Sequence, residues 1–406
     1  MPLRNRERFQ SQPSVVQDCG PRPGWYNPYF YAAPMIRLLV LLLLLPAFAW
    51  ADIPPSPPIA AKAWLLYDFN SAQTISAANE RQRVEPASLT KLMTAYLAFA
   101  ALKQKTLTLD RVVPVSERAW KAVGSRMFIE PGKPVTVDEL LRGMIVQSGN
   151  DACIALAEAI AGSEEVFAQM MNREAQRLGM KETNFTNASG LPDPKHYSTA
   201  YDLGLLAAAL IRDFPDFYLL YSQREYRYNN ISQPNRNRLL WLDPNVDGVK
   251  TGYTDEAGYC LIASSRRGTR RLLSVVLGAN SDSARAQESQ KLLNYGFQFY
   301  DSVRLYEKGQ AVSTLEVLKG SESRLKAGFL SDLYISVPRG LADQLKADLV
   351  SMQPLVAPIG VGQKVGTVKV TLQSKPLGEY PVVALQDVAI AGFFGRTWDG
   401  MRLWFK

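Results

Sequence analysis

Three short groups of residues in this 406-residue chain carry the side chains an acyl transfer needs: Ser88-Leu-Thr-Lys91, Ser148-Gly149-Asn150 and Lys250-Thr251-Gly252. A serine hydroxyl attacks a carbonyl only when a neighbouring base takes its proton. Lys91 lies one helical turn beyond Ser88 on the same face, and it can be that base once burial and cations such as Lys250 pull its pKa well below ~10.4. Ser148 can relay a proton to a leaving amine, and Asn150 can fix a substrate amide. Lys250 and Thr251 supply a cation and a hydroxyl for a substrate carboxylate. Gly252 lets a substrate backbone come close, and Arg236 is a second candidate partner for the carboxylate. Any one of these triplets alone is a weak signal; all three in this order are a specific one.

The rest of the composition removes competing chemistries. His196 is the one histidine of the chain, so a zinc site built from His and Cys is excluded, and no metal or other cofactor is expected. No G-x-S-x-G elbow exists, and His196 falls in the turn-rich Leu191-Pro-Asp-Pro-Lys-His-Tyr197, which argues against a Ser-His-Asp triad. The serine must therefore find a base other than histidine. The net charge is +8, and residues 1–51 hold five basic and two acidic side chains, leaving about +5 beyond them. Without a dense Lys/Arg run, nucleic acid is not an expected partner.

The elements that must position these groups can be outlined from pattern. A strand is expected over residues 63–69, with the turn-rich stretch 70–79 leading to a second edge. Pro86-Ala-Ser88 opens an apolar helix reaching Leu102, where free N–H groups and the helix dipole favour a developing oxyanion. A helix over 137–147 delivers Ser148-Gly149-Asn150, and another follows over 151–161. The strand 247–250 precedes two β-rich segments, 258–265 and 271–278, separated by Arg266-Arg267-Gly268, and a helix over 284–300 closes the domain. Strands at both ends of a helical middle predict an α+β fold, an antiparallel sheet with helices packed on it. Beyond Leu305, short alternating segments at 311–317, 333–337, 364–372 and 379–385 predict a small all-β module, a β-sandwich over 305–388. Cys153 and Cys260 fall in an apolar helix and a strand, and are expected to be free buried thiols.

Both ends carry signals of location. Residues 35–51 read as a cleaved secretory signal, with Arg37, an apolar run and Ala49-Trp-Ala51 before Asp52. The apolar run 38–45 is too short to cross a bilayer of about 30 Å. Residues 1–34 lack apolar periodicity and read as an extension, with Met35 the expected start. At the other end, residues 389–406 gather Phe393, Phe394, Trp398, Met401, Trp404 and Phe405 on one face of a helix and Arg396, Asp399, Arg402 and Lys406 on the other. Such a stripe suits a membrane interface.

The residues 86–94 (Pro-Ala-Ser-Leu-Thr-Lys-Leu-Met-Thr), 148–153 (Ser-Gly-Asn-Asp-Ala-Cys), 246–252 (Val-Asp-Gly-Val-Lys-Thr-Gly) and 335–340 (Ile-Ser-Val-Pro-Arg-Gly) carry a resemblance from about Ile53 to Lys406. The chain resembles the low-molecular-weight penicillin-binding D-alanyl-D-alanine carboxypeptidases. The resemblance implies a transpeptidase-type catalytic domain over 52–304 and removal of the terminal D-Ala from peptidoglycan pentapeptide stems, with β-lactams as inhibitors. It implies Ser88 as acyl-ester nucleophile, Lys91 as base, Ser148 as proton relay, and Lys250 with Arg236 as carboxylate binders. The backbone N–H groups of Ser88 and Tyr253 would form the oxyanion hole. Tyr253 departs from the histidine that often follows K-T-G in such enzymes. It further implies a protein exported to the periplasmic face of the inner membrane and held there by the C-terminal stretch. A β-lactamase shares the acylation step but needs a deacylating base, usually a Glu, and the loop 187–198 offers only Asp193 as a carboxylate. A D,D-endopeptidase using the same site, or a non-catalytic wall-binding protein, would carry the same three groups of residues.

Overall fold

The protein was analysed as a computed structural model, which describes residues 54–392 together with Gly20 and Gly24. Apart from those two glycines, the expected extension and export signal lie outside the described residues, as do residues 393–406 of the expected terminal helix. Among those described, no helix is long and apolar enough to cross a membrane.

A five-stranded antiparallel sheet anchors the catalytic part. Its strands are β1 (Ala63–Asp68), β2 (Gln73–Ala78), β3 (Val246–Thr254), β4 (Gly258–Arg267) and β5 (Arg270–Ala279), in the spatial order β2-β1-β5-β4-β3. Every residue of β1 is buried, as befits an inner strand with both faces covered. The turn-rich stretch 70–79 proves to contain β2 itself. Asp68 Oδ1 accepts the N–H groups of Asn70 (2.9 Å) and Ser71 (3.1 Å), so the chain reverses at once and strand pairing restarts at Gln73.

The longer helices among the described residues are α1 (Lys91–Lys103), α2 (Val137–Val146), α3 (Asn150–Ala161), α4 (Glu164–Arg177), α5 (Ala200–Asp213) and α6 (Asp282–Phe299). Ten of the thirteen α1 residues are buried, because the helix is apolar on all sides and runs through the centre of the main core. Leu92, Met93 and Phe99 are fully enclosed, each contributing about 1.5–3 kcal/mol of transfer free energy. The chain enters α1 through a tight 3-10 turn, Ala87–Thr90, so Ser88 sits in that turn and not at a simple N-cap. The start of α2 carries a full capping box between Thr136 and Glu139, which fixes where that helix begins and so where it releases Ser148. On the opposite face of the sheet, α6 covers a second core that includes Leu66, Leu272 and Val276.

α6 passes directly into β6 (Tyr300–Tyr306), which opens the all-β module of β7 (Ala311–Leu318), β8 (Arg324–Gly328), β9 (Leu333–Pro338), β10 (Leu345–Ser351), β11 (Leu355–Val356), β12 (Lys364–Leu372) and β13 (Lys375–Ala384). β6 pairs with β9, and a six-stranded sheet runs β10-β12-β13-β8-β7-β11. Residues of both sheets share one core around Ile335, Val337, Val368 and Val382. Residues 389–391, expected to begin the terminal helix, instead extend this module: Ser321 N–H donates to Ala389 O (2.7 Å) and Ala391 N–H to Lys319 O (2.8 Å). Backbone pairing at this edge outcompetes helix formation in a stretch that carries no apolar stripe of its own.

The two parts are clasped at the junction. Arg270, on β5, donates to the fully buried Asp68 (3.0 Å), to Gly296 O (3.1 Å) and to Tyr300 O. Ser336 of β9 donates its N–H to Gln73 Oε1 (2.7 Å) and lies 2.7 Å, hydroxyl to hydroxyl, from Ser71.

Candidate active site

The three sequence groups converge on one cleft of about 680 Å³ between the 3-10 turn, the α2–α3 turn and the outer strand β3. Gly252 brings β3 against the turn, since a Cβ there would lie 3.3 Å from the Ser88 nitrogen and 3.2 Å from Pro86 O. A side chain at 252 would push the strand from the nucleophile.

Lys91 is 1% exposed, and its Nζ has three polar neighbours: Ser88 Oγ (2.8 Å), Asn150 Oδ1 (2.7 Å) and Ser189 O (2.6 Å). Ser189 O can only accept. The Asn150 amide is oriented by its Nδ2, which donates to Val123 O (2.6 Å), so the oxygen is the atom facing Lys91. A neutral amine has two N–H groups for these two acceptors, and its lone pair then points at the Ser88 hydroxyl. Burial first of all, then the charge of Arg236, brings the Lys91 pKa down to about 8, with Cys153 and Asp151 acting in the opposite sense. The depressing cation is thus Arg236 where the sequence suggested Lys250. Repulsion between the two lysines appears at Lys250, which burial and then Lys91 hold well below the usual value.

Lys250 Nζ lies 3.0 Å from Ser148 Oγ and 3.1 Å from Thr251 O. Ser148 adopts a left-handed conformation (φ 63°) in the α2–α3 turn and lines the cleft. Thr251, Tyr253 and Arg236 line the same cleft. Among the described residues no carboxylate forms an ion pair with Lys250 or Arg236, while Asp255 and Glu256 line another part of the cleft, so Arg236 is left to meet an anionic group of a ligand. Tyr253 is half exposed; its ring packs on Tyr259 across the β3–β4 pair (centroids 4.4 Å), and its hydroxyl donates to Asp255 Oδ1 (2.7 Å).

Two contributors were not legible in the sequence. Arg285, 5% exposed on α6, donates to Gly252 O (3.0 Å), pairs with Asp282 and lines the cleft. In sequence it reads as an ordinary i,i+3 partner of Asp282. Ser189 acts through its backbone carbonyl, and residue type carries no signal for that role.

His196 is excluded as the base by its own hydrogen bonds. Its Nδ1 accepts the Thr186 N–H (3.1 Å), so Nε2 carries the proton and donates to Thr90 Oγ1 (2.8 Å). Burial pushes its pKa down to about 4 and keeps it neutral. Asp193 accepts from Lys195 N–H (2.7 Å) and is not among the residues lining the cleft. Cys153 and Cys260 are free and buried, with burial raising their pKa values to about 12 and about 11. No group of three His, Cys, Asp or Glu side chains suited to a metal occurs among the described residues.

Known proteins resemble this chain in sequence and fold. Residues 51–281 match the D-alanyl-D-alanine carboxypeptidase family, and residues 300–389 match the C-terminal domain of penicillin-binding protein 5. The chain is 42% identical over 368 residues to the D-alanyl-D-alanine carboxypeptidase DacC of Escherichia coli strain K12, covering 88% of this chain and 92% of the relative. It is 40% identical over 398 residues to DacA of the same strain, covering 93% and 98%. Penicillin binding protein 5 from Haemophilus influenzae superposes with a TM-score of 0.79 at 40% identity, over 82% of this chain and 99% of that one. The ampicillin-bound penicillin-binding protein D2 of Listeria monocytogenes superposes with a TM-score of 0.56 at 31% identity, over 60% of this chain and 100% of that one. Similarity of this extent, spanning both the catalytic part and the β module, identifies the chain as a member of the D-alanyl-D-alanine carboxypeptidase family.

Proposed function

We propose that this protein removes the terminal D-Ala from the pentapeptide stems of peptidoglycan through an acyl-enzyme on Ser88. The observation that carries the proposal is the Lys91 amine 2.8 Å from Ser88 Oγ, with its two other directions occupied by obligate acceptors. Lys91 takes the hydroxyl proton as Ser88 attacks the penultimate D-Ala carbonyl. The oxyanion that forms is held by the backbone N–H groups of Ser88 and Tyr253. Lys250, Arg236 and Thr251 hold the substrate's terminal carboxylate, while Asn150 fixes its amide. Ser148, 3.0 Å from Lys250 Nζ, relays the proton that Lys91 has taken to the departing D-Ala nitrogen, which leaves both side chains as they began, and water then cleaves the ester. A β-lactam offers the same carboxylate beside a reactive amide and acylates the same serine. Support comes from the ampicillin-bound Listeria monocytogenes neighbour, which shares this domain.

The test is release of free D-Ala from diacetyl-L-lysyl-D-Ala-D-Ala as a function of pH. Because the folded Lys91 pKa lies below its usual value, the amine is free above about pH 8, so kcat/KM rises with pH and levels off above about 8. A limb near 10 would mean that the Lys91 pKa is not depressed by its surroundings. Rapid nitrocefin turnover without D-Ala release would identify a β-lactamase instead.

The protein is further proposed to be exported and to sit on the periplasmic face of the inner membrane, held by residues 393–406. The support is the aromatic and basic stripe in the sequence. Deleting 393–406 leaves the pairing of Ala389 and Ala391 with the β module in place and is expected to move the protein from the membrane pellet to the soluble fraction. Retention in the pellet would refute the anchor.

A further inference from the structure

Asp151 follows the Ser-Gly-Asn group and is 1% exposed, and its partners among the described residues are backbone N–H groups. Its Oδ1 accepts the N–H groups of Met127 (3.0 Å) and Ala152 (2.9 Å), and its Oδ2 those of Phe128 (2.8 Å) and Ile129 (3.3 Å). Four donors and no acceptor suit a carboxylate, placed moreover in the first turn of α3. Three consecutive N–H groups converge because Phe128 is left-handed (φ 70°), forming a concave backbone nest. Gly149 makes the approach possible, since a Cβ there would lie 2.8 Å from Asp151 Oδ1 and 3.1 Å from the Met127 nitrogen.

The segment held in this way reaches the chemistry. Gly124 and Ser125 line the cleft, Ser125 O accepts the Asn150 N–H (2.7 Å), and Val123 O accepts Asn150 Nδ2 (2.6 Å). That second bond leaves Asn150 Oδ1 facing Lys91 at 2.7 Å. We infer that Asp151 is a positioning residue of the reaction: by gripping the Met127, Phe128 and Ile129 amides it holds Val123 and Ser125 where they orient Asn150, and through Asn150 the Lys91 lone pair on Ser88. This rests on Lys91 acting as the base.

The test uses the full chain with Asp151→Asn, which keeps the shape but presents an NH2 group to N–H donors. The kcat for D-Ala release is expected to fall about tenfold or more with KM changed less than twofold, and acylation by a fluorescent penicillin to slow in parallel. Asp151 acts on Lys91 in the raising direction, alongside Cys153 and against Arg236, so its loss also moves the acid limb to lower pH. An unchanged kcat overturns the inference. A Lys91→Met variant that keeps the wild-type pH profile would instead refute the base assignment itself. If the Asn variant does not fold, Asp151→Glu, which keeps the charge one methylene out of place, carries the test. It is expected to lose kcat with the limb unmoved, and full activity in that variant overturns the proposal.

Discussion

Ser88→Ala is expected to abolish both D-Ala release and labelling by fluorescent penicillin, with kcat lower by about 10⁴-fold or more. The fold is expected to survive. Among the described residues the hydroxyl has one side-chain partner, Lys91 Nζ at 2.8 Å, and one such hydrogen bond is worth about 1 kcal/mol. A variant with native-like thermal unfolding and no covalent adduct by intact-mass spectrometry would therefore locate the chemistry at this oxygen. Residual D-Ala release at more than a trace would show that another group attacks.

Lys91→Met separates the base from the nucleophile. Methionine is unbranched and of similar length, so it fills the space of a side chain that is 1% exposed, yet it cannot take a proton. Acylation by penicillin is expected to slow by about 10²–10⁴-fold, the usual contribution of a positioned general base. The pH dependence supplies the sharper criterion. Wild-type acylation loses about tenfold per pH unit below the Lys91 pKa of about 8, whereas the variant's residual rate lacks that limb. A limb that persists in the methionine variant would assign it to another group, and Lys250 would be the first to test.

Much of this site could be read from side-chain type and spacing. Ser88 and Lys91 share a face because a tight turn continues directly into α1, and Ser148 with Asn150 sits where α2 stops and α3 starts. The strands β3 to β5 show their pairing through adjacent apolar runs and a short Arg-Gly turn. The parts that stayed hidden share one physical cause, which is that they act through backbone atoms or through contacts distant in sequence. Ser189 offers a carbonyl, Asp151 binds a nest of N–H groups more than twenty residues away, and Arg285 braces a carbonyl on a strand thirty-three positions earlier. In the β module, β10 alternates half-buried Leu345, Ala347 and Leu349 with exposed Lys346, Asp348 and Val350, a strand pattern that the sequence analysis did not single out because none of its residues is fully buried. The strand β2 was masked by polar and small residues that a tight Asp68 turn nonetheless pairs with β1.

The clasp between the two parts has a mechanical consequence. α6 enters β6 with no loop between Phe299 and Tyr300, and Arg270 ties both of these elements to Asp68 at the end of β1. Ser336 bound to Gln73 adds a second tie across the same seam. A junction tied in this way makes Asp68 a shared fastening, and replacing it would free Arg270 from β1 and loosen the seam on both sides while leaving the chemistry at Ser88 untouched.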